Sequence, residues 1–335
     1  MRMARLVERL IGLVPVLLGV SVIVFLMITL TPGDPVQIML GDSRSSPEQE
    51  AALRHDMGLD RPLHERFVLF IGNAARGEFG LSFFHRRPVI EVIGERLPAT
   101  IELTLAALVL SLVIAIPLGV LAAVRKNSWL DRLATVSSLF GVSMPGFWFG
   151  ILLILLFSVK LGWFPVAGRI GYASEVPAIT GMLLPDALLA GRFDSFWQAL
   201  RHIALPAVTL ALPMAAVLMR VTRSSMIEVL RSDYVLFAEA KGLSRARVIG
   251  RHALKNALIP TVTVAALETG SLLGGNMIVE TVFGWPGLGR LVVEAIFSRN
   301  YPLVQAAVLL YAVTYVMLNF LADLLYTKLN PRVRL

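Results

Sequence analysis

Along this chain, long uncharged runs alternate with short clusters of Arg and Lys. The runs have the length a bilayer requires, since about 20 residues rising ~1.5 Å each cross a hydrocarbon core of ~30 Å. Six segments fit: Leu10 to Gly33, Leu103 to Val124, Leu133 to Val159, Ile203 to Met219 and on past Arg220, Asn256 to Val279, and Pro302 to Ala322. The first is too long for the apolar region of a signal peptide and no small-x-small cleavage site follows it, so it is expected to remain as a span. The pattern predicts an all-α integral membrane protein with six transmembrane helices.

Two polar stretches interrupt the spans at length. In residues 34–98, Ser46 as N-cap, Pro47 at the first helical position and Gln49 at the third open a short helix that Gly58 closes. Leu63, Phe67, Phe70 and Ile71 then recur on one face of a second helix. We expect a small helical insertion there, between a segment 1–33 that carries the first span and a five-helix core over 99–335. Residues 160–200 are punctuated by Gly and Pro and predict little.

Composition agrees with a membrane class: 56% of residues are hydrophobic, only 16% are charged, and mean hydropathy is +0.73. The formal net charge of +8 would suit nucleic acid if the bases were spread over a soluble surface. They gather instead at span ends: Arg2, Arg5 and Arg9, then Arg125, Lys126 and Arg132, then the run from Arg220 to Lys255, and last Lys328, Arg332 and Arg334. Lys and Arg near span ends stay in the cytoplasm, so both termini are expected inside and nucleic acid is not an expected partner. With no Cys, disulfides and thiolate metal sites are excluded.

The chemistry of catalysis is sparse. No Lys follows a Gly, so the chain has no phosphate-cradling GxxxxGK[ST] loop, and neither HExxH nor GxSxG occurs. Ser143 with His202 could form an intramembrane serine protease, but Ser143 precedes Met144-Pro145, where a Pro-bent helix with a backbone-bonding Ser is the simpler reading. A channel, carrier, receptor or permease subunit remains. Among intramembrane acids, Glu268 stands in mid-span near Gly270, Gly274 and Gly275, with Glu102 and Asp323 near span ends. A mid-span carboxylate is costly unless it meets water or a partner, so Glu268, Gly274 and Gly275 are candidates for a translocation path.

One charged, Ala-rich stretch, 229–255, lies between two spans. Gly242 followed by Leu243-Ser244 predicts a helix stop and a new N-cap. The first short helix, about Ser232 to Lys241, sets Ala238 and Ala240 beside Leu236 and Phe237. In the second, Arg247, Arg251 and Lys255 recur at i, i+4, i+8 and form a basic stripe suited to anionic lipid headgroups. An interfacial helix pair that merely links two spans would look the same.

Asp233-Tyr234, Ala238-x-Ala240-Lys241-Gly242-Leu243, Arg251-His252-Ala253-Leu254-Lys255-Asn256-Ala257 and Pro260 together resemble the EAA loop of ABC-importer permeases of the dipeptide, oligopeptide and nickel type. Further matches are Pro32-Gly33-Asp34-Pro35, Gly58-Leu59-Asp60-Arg61-Pro62, Thr222-Arg223-Ser224-Ser225-Met226, Glu280-Thr281-Val282-Phe283, Trp285-Pro286-Gly287-Leu288-Gly289-Arg290 and Asn330-Pro331-Arg332. They cover nearly the whole chain. Against the general EAA pattern only Ala238, Gly242 and Leu254 agree. The resemblance implies a type I permease architecture in a bacterial inner membrane, with the insertion after helix 1 outside. It implies four kinds of partner: a second homologous permease subunit, two ATPase subunits, an extracytoplasmic substrate-binding protein, and membrane lipid. It implies no enzyme activity and no cofactor in this chain, since ATP and Mg belong to the ATPase subunits. Tyr234, Phe237, Ala238, Ala240, Lys241 and Gly242 would then form the ATPase-coupling element. Trp285, Pro286, Gly287 and Arg290, in a turn and short helix between the last two spans, would dock the binding protein. The rival expectation is an ATP-independent secondary transporter or channel.

Overall fold

In the computed structural model, residues 3–30, 36–37, 46–56, 58–171 and 176–329 are described. They form helices and, apart from one isolated bridge between Leu81 and Pro88, no strand. The chain divides into two compact units, Met1–Leu97 with Gly287–Val316, and Pro98–Pro286 with Met317–Leu335.

The first unit opens with α1 (Met3–Leu30). Helix α2 (Pro47–Asp56) carries the capping box its sequence predicts: Gln49 N–H donates to Ser46 Oγ at 3.3 Å and Ser46 N–H donates to Gln49 Oε1 at 3.2 Å. Gly58, at φ +62°, ends the turn that follows. In α3 (Leu63–Arg76) the apolar face meets α1, with the Phe25 ring 5.4 Å from Phe67 and 5.9 Å from Phe70. Two later elements complete this unit, α13 (Leu288–Phe297) and the first half of α14 (Tyr301–Leu329). Asn300, between them, is buried; its Nδ2 donates to Ser82 Oγ at 2.7 Å and its Oδ1 accepts from Phe83 N–H at 3.2 Å.

Helix α4 (Val89–Val124) begins well before the expected Leu103. Its polar first turns are held by Arg87, which reaches Glu91 at 3.4 Å and Glu95 at 2.6 Å. Helix continuity here needs no apolar run.

The second unit centres on α8 (Phe193–Val229), whose apolar side is buried along most of its length despite Pro206 and Pro213. Around it pack α5 (Trp129–Ser143), α6 (Gly146–Leu153, continued by a π-helical turn Ile154–Lys160), α7 (Leu183–Leu189) and α11 (Leu254–Gly275). α4 comes so close to α8 that a Cβ on Gly119 would lie 2.8 Å from Thr222 Cβ and 2.9 Å from the Met219 carbonyl oxygen. Only Gly fits there.

Two expected spans are broken. Leu133 to Val159 is two helices, α5 and α6, bent by 103°. Met144 is extended (φ −83°, ψ 124°) because the following Pro145 ring disfavours the helical conformation, and Pro145 lacks the N–H that would continue the ladder. Asn256 to Val279 likewise ends at Gly275 and resumes, past Asn276, as α12 (Met277–Val282). Buried Asn276 turns its Nδ2 toward Thr104 Oγ1 at 3.5 Å, at the edge of hydrogen-bond range. Among the described residues four helices are long and apolar enough to cross a membrane, five if the bent pair counts as one span.

Candidate functional site: the helical loop 229–255 and its seat

α9 (Asp233–Ala240) follows Ser232 directly and stops where its sequence predicts. Gly242 adopts φ +78°, its N–H bonds to the Glu239 carbonyl at 2.9 Å, and Leu243 N–H reaches back to Ala238 at 3.4 Å. This left-handed cap is open to Gly and costs other residues strain.

The two sides of α9 differ sharply. Val235 and Ala238 face inward onto Met226 of α8, Ala123 of α4, and Val248, Ala253 and Ala257 beyond the turn. Ala238, expected on the side a partner approaches, is a core residue of this chain, and its small size lets α9 lie close on its own seat. The opposite side is open: Tyr234, Leu236 and Phe237 are 43%, 51% and 61% exposed, and Ala240 and Lys241 are exposed too. Lys241 Nζ lies 4.5 Å from the Phe237 ring centroid, a cation–π contact on the open side of α9. Tyr234 Oη accepts from Asn256 Nδ2 at 2.7 Å and so ties α9 to α11.

The second half is less regular than a single amphipathic helix. A short α10 (Arg245–Arg247) runs into a π-helical turn, Val248–Ala253, and then into α11. Arg247, Arg251 and Lys255 are all exposed, while Val248 is buried.

A charged pair missing from the sequence reading joins the same α8 to α5. Asp131, 4% exposed, accepts from Arg223 of α8 through both guanidinium arms, Nε to Oδ1 and Nη2 to Oδ2 at 2.9 Å. Asp131 Oδ2 also accepts from the N–H of Asn127, whose φ of +65° closes the α4–α5 turn. On the residue before Arg223, Thr222 Oγ1 lies 3.0 Å from Thr261 Oγ1 of α11. Both members were visible, Arg223 inside a quoted motif and Asp131 three residues after the N-cap Ser128, yet nothing in the sequence joins positions 92 apart.

The remaining candidates scatter. Glu268 is half-buried on α11, without a hydrogen-bond or ion-pair partner among the described residues. Gly274 has open space where a Cβ would stand, and Gly275 closes α11. The deeply buried acid of this region is Glu280, 0% exposed, which accepts from Thr100 Oγ1 at 2.7 Å. Trp285 is also misjudged as a surface residue: it is 1% exposed and its Nε1 donates to the Ala99 carbonyl at 2.9 Å. A buried indole finds a partner for its N–H, and this one is committed to the core. Pro286 is half-buried and Gly287 buried, whereas Arg290 is half-exposed and pairs with Glu294 at 2.8 Å. His202 Nδ1 lies 3.2 Å from the Gly168 carbonyl oxygen, so that nitrogen is not paired with Ser143.

Residues 115–335 match the family described as binding-protein-dependent transport system inner membrane component, and residues 2–104 match its N-terminal companion. The chain is 45% identical to the di/tripeptide transport system permease protein DppB of Pseudomonas aeruginosa, over 96% of each chain. It is 43% identical to the dipeptide transport system permease protein DppB of Escherichia coli K12, over 99% of each, and 41% identical to the glutathione transport system permease protein GsiC of that strain, over 98% of each. Its fold matches a chain of the inward-facing methionine ABC transporter MetNI with TM-score 0.50 at 17% identity, over 69% of this chain and 93% of that one. A helical loop seated on a bundle of apolar helices suits a transport subunit, and by these matches the chain belongs to the binding-protein-dependent transport system inner membrane components, the permease subunits of ABC importers.

Proposed function

We propose that this chain is one of two permease subunits of a bacterial importer that moves di- or oligopeptides inward, and that α9 is the element gripped by a separate ATPase subunit. One observation carries the coupling role: an eight-residue helix outside the spans holds Tyr234, Leu236 and Phe237 exposed while its other side is fixed to the chain's own core. Exposed aromatic groups on a rigid seat suit insertion into a partner's pocket, where such anchors contribute most of the affinity.

In this reading six spans cross the membrane, counting α1 and taking α5 with α6 as one, and both termini lie in the cytoplasm. A second homologous permease, two ATPase subunits that bind ATP and Mg, and an extracytoplasmic binding protein complete the complex. The binding protein touches α13 near Arg290, and Glu268 with Gly274 and Gly275 borders the path at the interface with the second permease. ATP-driven closure of the ATPase pair moves α9, and the spans alternate between two arrangements. Membership in this family leaves no observation in favour of ATP-independent transport.

The test is to purify the complete complex with Phe237→Asp and measure both ATPase retention and peptide uptake. Both should fall while membrane insertion persists. Normal retention with normal uptake would end the assignment of α9. For the path, Glu268→Gln with unchanged uptake and substrate range would remove that residue from it.

A further inference from the structure

A helix moved by its partner does no work unless the push reaches the spans, and hydrophobic packing alone allows sliding. The seat of α9 is mainly such packing, through Val235 and Ala238 onto Met226. Three residues before Met226 on the same helix stands Arg223, and its partner Asp131 lies in the first turn of α5. We infer that the Arg223–Asp131 pair is the positioning strut that makes α5 follow α8 when α9 is displaced, an inference that rests on α9 being the gripped element.

Three features suit the pair to this task. It is two-pronged, so it resists rotation as well as separation. It is shielded, with side-chain exposures of 28% for Arg223 and 6% for Asp131, so salt and water weaken it little. Asp131 also holds the Asn127 N–H, while Ser128 Oγ accepts from Asp131 N–H at 3.3 Å, so the carboxylate anchors the whole α4–α5 turn and not merely one rotamer. α5 is, in turn, the half-span that ends at the 103° break before Pro145, and a cavity of about 390 Å³ at this break is lined by Phe140, Gly141, Met144, Phe149 and Pro213. A rigid pull on the first turn of α5 is thereby delivered to the vertex of the broken span, which is the part of the unit with room to move.

A strut predicts a specific defect: assembly and hydrolysis survive, and transport per ATP is lost. Arg223→Lys keeps the charge but replaces the fork by a single point contact. Asp131→Asn keeps the shape and removes the charge. In the full complex, with binding protein, in proteoliposomes, each variant should retain ATPase subunits and hydrolysis while peptide taken up per ATP falls about tenfold, a coupling change of ordinary size. The exchange Asp131→Arg with Arg223→Asp should recover part of that ratio. If Asp131→Asn fails to assemble, Arg223→Lys decides. Unchanged uptake per ATP in Arg223→Lys, or a fall in uptake matched by an equal fall in assembled complex, would overturn the strut. Failure of the α9 reading is separately visible, because Phe237→Asp would then keep its ATPase subunits whatever the coupling ratio of the Arg223 and Asp131 variants.

Discussion

Arg169 and Glu102, 67 positions apart, form a buried ion pair in which Nη2 lies 2.6 Å from Oε2 and the side chains are 16% and 5% exposed. Glu102 Oε1 accepts from Leu184 N–H, Arg169 Nη2 also donates to the Gly181 carbonyl at 2.9 Å, and the guanidinium lies 5.8 Å from the Trp285 ring centroid. One pair thus gathers the 160–190 segment onto α4 at Glu102. Removing one partner leaves the other charged and desolvated, so Glu102→Gln should destabilise this unit by about 3 kcal/mol. A thermal unfolding scan of the purified chain in detergent checks it.

Gly242 has nothing within 4 Å of an added Cβ, so any effect of substitution comes from its φ of +78° alone. Gly242→Val should cost about 1 to 2 kcal/mol locally and reorient α9, whereas Gly242→Asn, which visits this conformation more readily, should be milder. Co-purified ATPase should fall in the order Gly, Asn, Val. Equal retention in all three would show that the cap does not set the position of α9.

Neighbouring residues of α9 should fail differently. Ala238→Trp overpacks the seat and should reduce the yield of folded chain, at a cost of about 1 to 3 kcal/mol. Phe237→Ala trims an exposed ring and should leave stability within about 0.5 kcal/mol while ATPase retention drops. Measuring the two properties in both variants separates core from contact.

Asp186 is 2% exposed, and burial alone would raise its pKa. The Thr180 hydroxyl at 2.7 Å and the N–H groups of Thr180, Ile179 and Gly181 at 2.8, 3.1 and 3.0 Å outweigh that and hold it below the usual carboxylate value. Because the folded pKa is depressed, the stabilisation is complete above the unfolded value of about 3.9 and disappears as pH falls through the lower folded one. Hydrogen exchange at residues 179–181 should stay protected at pH 5 and 7 and open only below that range. In Asp186→Asn the protection should be weak at every pH.

Local rules were readable where one short stretch of backbone decides the outcome. The Ser46–Gln49 box, the left-handed Gly242 and the exposed Arg247, Arg251 and Lys255 all follow from residues a few positions apart. A bend at Pro145 was read from the proline, but neither its sharpness nor the break at Asn276 was, because an uncharged run records only that lipid is tolerated and says little about the backbone inside it. The burial of Ala238 was not legible, since a small residue suits a partner's groove and the chain's own core equally. Glu280 with Thr100, Glu102 with Arg169 and Asp131 with Arg223 pair elements far apart in sequence, and residue identity alone does not name a distant partner.

The vertex between α5 and α6 has one more consequence, for how the chain is oriented within the bilayer. Met144 N–H still bonds the Phe140 carbonyl at 3.1 Å, but Pro145 has no N–H to offer the Gly141 carbonyl, so the ladder loses a rung at the vertex. An unmet backbone carbonyl bordering acyl chains costs several kcal/mol. We expect that edge of the unit to face water or another polypeptide and not lipid, which would make the broken helix a compass for how the subunit is oriented in the bilayer.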